Sequence, residues 1–191
     1  MNFFTKKEAI FFITILIISF LIIFFFTNYN SSFLSFEKGY LSTNTYVSDL
    51  EIFFCPEDYC SSHLISEINF AEKSIYVAIY SFTHYDIANA LISAKKRGLD
   101  VKIIIDFLQS TSKYSLHNML EEQGILIFIK KDSGVMHNKF AIIDEKKVFT
   151  GSFNYSLNAD TKNDETLILI KNKIIASKFF SKFNKLLKES Y

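Results

Sequence analysis

The chain has 191 residues, 49% of them hydrophobic, with 21 Lys and Arg against 20 Asp and Glu. That size and composition suit one membrane segment plus one domain and exclude a multidomain assembly. Setting aside Lys6, Lys7 and Glu8 leaves 19 cations and 19 anions, so long-range attraction of nucleic acid by bulk charge is excluded and any attraction must be local.

Ala9 to Phe26 is an uncharged run of eighteen residues, broken only by Thr14 and Ser19. At about 1.5 Å per residue it reaches about 27 Å, enough to span a hydrocarbon core. It has no polar face, which argues against a buried core helix. The run exceeds the apolar region of a cleaved signal, and Phe24 to Asn30 holds no small-x-small site. Residues 1–27 are therefore expected to form an uncleaved anchor. Lys6 and Lys7 precede the run and no Lys or Arg follows until Lys38. The positive-inside rule sends the remainder out of the cytoplasm, to the periplasmic or cell-surface side.

Residues 28–49 are polar and aromatic without periodicity and read as a tether. Residues 50–191 form the domain. Its first strand is expected at Glu51–Phe54, stopped by Pro56. Cys55 and Cys60, the only cysteines, admit three readings. They form a disulfide, they join His63 as a partial zinc set lacking a fourth ligand, or they are free thiols.

Helices are expected at Ser62–Lys73, from Thr83 to Gly98, at Lys113–Gln123 and at Lys173–Ser190, and strands at Ser74–Phe82, Asp100–Asp106, Ile125–Ile129 and Thr166–Ile170. Thr83-His84-Tyr85-Asp86 matches a capping box, with His84 as a polar residue at a helix entrance. His117 reads as structural or exposed. The repetition of strand and helix predicts an α/β fold, a sheet with parallel pairs and helices on both faces. In the last helix Ile174, Ile175, Phe179, Phe183, Leu186 and Leu187 are expected to pack, with Lys178, Lys182, Lys185 and Lys188 on another face. Those lysines read as a solvated face or as a contact for phosphates.

Between the last two strands lies the stretch that carries chemistry. Val135–Ile143 reads as a strand, Asp144–Lys147 as a turn and Val148–Thr150 as the returning strand, which makes the sheet mixed. Alternation puts His137 and Lys139 on one face, and Ser152 and Asn154 share a face beyond Gly151. An imidazole can attack phosphorus and form a phosphohistidine. Lysine and asparagine can hold the non-bridging oxygens, and a carboxylate such as Glu165 can fix the imidazole tautomer. Asp144, seven residues after His137, falls on the opposite face and reads as a structural partner.

His137-x-Lys139-x4-Asp144, followed by Gly151-Ser152-x-Asn154, resembles the HKD motif of the phospholipase D superfamily. The continuation Thr161-Lys162-Asn163-Asp164-Glu165 looks like the small bacterial Nuc-type endonucleases, and the similarity runs from about Glu51 to Ile170. The resemblance implies His137 as nucleophile or general acid, Lys139 and Asn154 as phosphate ligands, Ser152 near the phosphate and Glu165 as the orienter of His137. It also implies that no metal or other cofactor is needed, that one motif per chain works as a homodimer, and that some eukaryotic relatives carry a zinc element near the cysteines. The expected function is a membrane-anchored, metal-independent phosphodiesterase cleaving DNA or RNA. The alternatives are a phospholipase D-type lipid hydrolase, since the attacked bond is the same, and a nucleic-acid capture protein.

Overall fold

The computed structural model describes residues 16–24, 49–131 and 134–191. The chain divides into two compact units, Met1–Val47 and Ser48–Tyr191. In the first, residues 16–24 form an exposed helix, α1. The rest of the expected span at residues 9–26, and nearly all of the expected tether, lie outside the described residues. Among the described residues no helix is long and apolar enough to cross a membrane.

The second unit is built on one seven-stranded sheet. Its elements are β1 (Leu50–Cys55), α2 (Cys60–Phe70), β2 (Ser74–Ile79), α3 (Tyr85–Lys96), β3 (Asp100–Asp106), α4 (Phe107–Ser110), α5 (His117–Glu122), β4 (Leu126–Lys130), β5 (Lys139–Ile143), β6 (Lys147–Gly151), α6 (Leu157–Thr161), β7 (Glu165–Ile170) and α7 (Lys173–Lys188). The strand order is β1-β7-β6-β5-β2-β3-β4. β2, β3 and β4 run parallel, and the other neighbours are antiparallel. The α/β expectation with a mixed sheet matches this architecture.

Every residue of β2 and β5 is buried, because apolar layers cover both faces of these strands. Val77, Ile79, Ala141, Phe149 and Leu167 face Leu64 and Ile68 of α2 and Ile87 and Leu91 of α3. Tyr76, Ala78, Phe140, Ile142 and Val148 face Ala176, Phe183 and Leu186 of α7. The period-two alternation of β2 and β5 thus fills two cores at once. α7 departs from expectation at Ile174, which is 73% exposed; Lys178, Lys182, Lys185 and Lys188 are all exposed.

Two short helices, α4 and α6, fall where the sequence pattern predicts no element. α4 is capped by Asp106, whose Oδ1 accepts from Leu108 N at 2.9 Å. α6 is capped by Ser156, whose Oγ accepts from Ala159 N at 3.2 Å. Side-chain oxygens placed to satisfy first-turn N–H groups explain both. The expected capping box at Thr83–Asp86 does not form: His84 is the N-cap of α3 but makes no side-chain capping bond. The helix expected at Lys113–Gln123 shortens to His117–Glu122. Arg97 reaches from the end of α3 to Ile68 O at 2.9 Å and Ala71 O at 3.3 Å, closing the end of α2.

Candidate active site

The motif hairpin is pinned at its turn. Asp144 and Glu145 both adopt left-handed backbone, with φ 53° and 54°, and Lys146 N donates to Ile143 O at 3.0 Å. The Asp144 carboxylate accepts from Glu72 N at 3.0 Å, Lys73 N at 2.7 Å and Ser74 N at 3.1 Å. Burial pushes this carboxyl up, but the three backbone donors outweigh it and hold it below the usual carboxylate range. At about 3.4 Å per residue, Asp144 lies roughly 17 Å along the strand from Lys139. It ties the hairpin to the start of β2, far from any reaction at the other end.

At that other end four strands converge: β2 finishes, β5 starts, β6 finishes and β7 starts. The register pairs Ile79 with Lys139, Phe140 with Thr150 and Gly151 with Leu167. The strand expected from Val135 begins only at Lys139. Met136 N is taken by the buried Asp106 carboxylate, Oδ2, at 2.9 Å, so the residues before Lys139 follow that bond rather than a ladder. His137 therefore sits on a loop, and strand alternation does not place it beside Lys139.

The lysine itself closes the gap. Lys139 is buried, and its Nζ lies 3.0 Å from His137 O, 3.2 Å from Nδ1 and 3.4 Å from Nε2. The similar distances to both ring nitrogens place the ammonium across the imidazole rather than on one lone pair. Burial pushes the Lys139 ammonium below its usual value, and the Glu165 carboxylate opposes that shift. Tyr80, just beyond β2, completes the cluster: its ring is 4.5 Å from the His137 ring and 5.3 Å from Lys139 Nζ. His137 remains exposed above this base.

Gly151 sets the other wall. Its φ is 145°, and a Cβ there would stand 2.0 Å from Thr166 O, so only glycine permits this approach of β6 to β7. Ser152 then bonds Thr166 twice: its N–H donates to Thr166 O at 3.0 Å, and its Oγ accepts from Thr166 N at 3.0 Å. The Ser152 hydroxyl proton stays available to a ligand. Asn154 Oδ1 is buried with no hydrogen-bond partner among the described residues, the kind of polar atom that a ligand completes. Glu165 opens β7 and accepts from Asn163 Nδ2 at 3.2 Å. Among the described residues no hydrogen bond joins it to His137. Its link to the site within one chain is the electrostatic one to Lys139.

Cys55 and Cys60 form a disulfide, with Cα atoms 5.7 Å apart. This replaces the zinc and free-thiol readings: neither sulfur is a thiolate, and His63 is stacked on Phe53 with ring centroids 3.9 Å apart. The bridge holds the end of β1, where Cys55 pairs with Glu165, to the start of α2. Asp160 secures the same corner, accepting from Ser61 N at 2.9 Å and Ser61 Oγ at 2.7 Å. His84 Nε2 lies 3.3 Å from Asp160 Oδ2. His84 is thus a buried partner of that corner, and His117 contacts Ser115 Oγ at 2.9 Å.

Tyr80 and Asp106 were not singled out from the sequence. The signal for Asp106 was present, since aspartate is a favoured N-cap residue where an apolar strand gives way to a helix. Tyr80 carried no local signal; strand register brings it to His137.

The fold has known counterparts. Residues 64–187 match the family model described as "Cardiolipin synthase, PLD-like domain". A protein of Rickettsia prowazekii named Phospholipase D is 37% identical over 69% of this chain and 64% of its own length. Among solved structures, Nuc from Salmonella typhimurium, a phospholipase D family member, superposes with a TM-score of 0.71 at 34% identity, covering 74% of this chain and 95% of Nuc. NucT from Helicobacter pylori gives 0.69 at 35%, covering 74% and 96%. With residues 64–187 matched in sequence and the fold matched in space, the chain belongs to the phospholipase D-like family.

Proposed function

We propose that the protein is an endonuclease that cleaves DNA or RNA through a phosphohistidine, working as a homodimer. The observation that carries the nucleic-acid reading is the structural likeness to Nuc and NucT, with TM-scores of 0.71 and 0.69 at 34% and 35% identity. In this reaction a His137 ring nitrogen attacks phosphorus, and the bond to the leaving oxygen breaks. Lys139, Asn154 and Ser152 hold the non-bridging oxygens as charge develops on them. The leaving oxygen takes a proton from His137 of a second copy, and that imidazole then deprotonates the water that hydrolyses the phosphohistidine. Glu165 acts by orienting an imidazole once the second copy is in place.

Lipid hydrolysis is the second reading, favoured by the name of the Rickettsia prowazekii relative. Full-length protein in detergent, given single-stranded DNA, duplex DNA, RNA and phospholipid vesicles, separates the two. Nucleic-acid cleavage is expected, and head-group release from vesicles alone would establish the lipid reading. The same assay in EDTA tests the metal-free route. Among the described residues no three His, Cys, Asp or Glu side chains are grouped to hold an ion, so cleavage is expected to persist. Loss in EDTA with rescue by a divalent ion would refute it. The lysines at positions 6 and 7, ahead of the apolar run, support an anchored domain on the extracytoplasmic side. Protease added outside intact inner membranes should digest it, and full protection would reverse that topology.

A further inference from the structure

Beside the reaction centre lies a second concavity that hydrolysis does not use. The segments beyond β2 and beyond Gly151 leave the sheet together and stay joined. Thr83 N and His84 N both donate to Tyr155 O, at 2.7 and 2.9 Å, and Tyr155 N donates to Ser81 O at 3.2 Å. Leu116 N donates to Phe82 O at 3.0 Å, which brings the segment ahead of α5 onto the same wall. The space between them has a volume of about 630 Å³, and its lining includes Thr83, Tyr85, Lys113, Tyr114, Ser156 and Leu157. Small-molecule sites occupy about 300–1,000 Å³. Thr83 is three residues past Tyr80 and Ser156 two past Asn154, so this wall begins where the reaction centre ends.

The lining has an unusual character. Tyr85 is 63% exposed, Tyr114 66% and Leu157 60%. Exposed apolar residues scattered singly need no explanation, but these converge on one cavity. Lys113 Nζ lies 4.9 Å from the centre of the Tyr114 ring, so a ring face and a cation are presented together. Glu122 also lines the space and offsets that cation, so charge alone cannot hold a polyanion there. An unpaired nucleotide carries what this wall recognises, a free π face and a phosphate. In a duplex the base faces are already stacked on one another. Aromatic rings beside a cation are the sequence-tolerant means of holding unpaired bases. A lipid chain calls for a continuous apolar trough, which Thr83, Ser115, Asn118 and Ser156 interrupt here.

We infer that this cavity is a subsite for unpaired nucleotides of the scissile strand, with Tyr85 and Tyr114 as stacking platforms and Lys113 as a phosphate contact. The inference rests on the nucleic-acid reading above and names the part of the substrate that the site grips. The test measures binding without turnover. Full-length His137→Asn protein in detergent is titrated against a labelled DNA strand, either unpaired or annealed to its complement, with anisotropy as the readout. Tyr85→Ala and Tyr114→Ala are each expected to weaken the unpaired strand by about tenfold and the duplex by less than about twofold, while Tyr85→Phe and Tyr114→Phe keep the parent affinity. The subsite is refuted if the Ala variants bind the unpaired strand like the parent, if both DNA forms weaken equally, or if Phe loses as much as Ala. It is equally refuted if the parent binds no unpaired strand, or if the Ala variants lose only binding to cardiolipin vesicles. Failure of the nuclease reading shows elsewhere: wild type would cleave no nucleic acid even where strand binding depends on the two tyrosines.

Discussion

At the scale of single residues the strongest expectations attach to His137 and Gly151. His137 is the exposed imidazole above a buried lysine, and removal of the nucleophile proposed above costs on the order of 10⁵-fold or more in kcat. His137→Asn should therefore fold, as judged by an unchanged melting profile, and be inactive; retention of a tenth of wild-type kcat would assign the attack to another group. Glu165→Gln should lose less, since this carboxylate bonds Asn163 and senses Lys139 but does not touch His137 in one chain. Gly151→Ala is a different kind of lesion. Its new Cβ would meet Thr166 O at 2.0 Å, and backbone forced open at a positive φ costs at least about 2 kcal/mol. That variant should melt earlier and lose activity together, because Ser152 and Glu165 flank the displaced contact; a normal melting temperature would show that β7 can retreat freely. The nearness of His137 and Lys139 was legible from their spacing, although the reach of the lysine rather than strand alternation joins them. Asp106 and Tyr80 were not: Asp106 reaches Met136 across thirty residues, and Tyr80 meets His137 through the pairing of β2 with β5.

Elements position these residues, and the hairpin is one whose stability should depend on acid. Its Asp144 carboxylate is held below its usual value by the Glu72, Lys73 and Ser74 amides, despite burial. A group depressed in the folded state contributes stability that is complete above its unfolded pKa, near 3.9, and is lost as pH falls through the lower folded value. Melting temperature should therefore drop as pH falls below about 4, and Asp144→Asn should flatten that part of the dependence. At neutral pH the same substitution should cost about 1.5–3 kcal/mol, the range for hydrogen bonds to a charged group. Parallel acid profiles for the two proteins would show that Asp144 is not the group responsible. Asp100–Asp106 was readable to both ends because a branched apolar run bounded by polar residues allows few alternatives. The strand around His137 and the helix near Lys113 were not, since a buried carboxylate claims Met136 and since only six residues, His117–Glu122, keep helical geometry. Local propensity proposes such boundaries, and distant partners decide them.

At the scale of the whole molecule the open question is where the second imidazole comes from. The proposed reaction needs a neutral ring to attack and a charged ring to protonate the leaving oxygen, and one imidazole cannot serve both at once. The chain has four histidines. His63 is stacked on Phe53, His84 is buried against Asp160, and His117 contacts Ser115. Each is committed elsewhere, so a single chain offers His137 alone. Glu165 adds a second reason: the orienting role proposed for it requires an imidazole partner, and among the described residues it hydrogen-bonds none within one chain. A two-fold axis that brings two copies of this edge of the sheet face to face would supply the missing ring, since an isologous contact repeats every group on both sides. Mixing tests this directly. Wild type co-expressed with increasing His137→Asn should form mixed dimers, and if both imidazoles are needed, activity follows the square of the wild-type fraction. A linear decline, or full activity from protein that sediments as a monomer, would mean that each chain completes its own site and that a group other than histidine protonates the leaving oxygen.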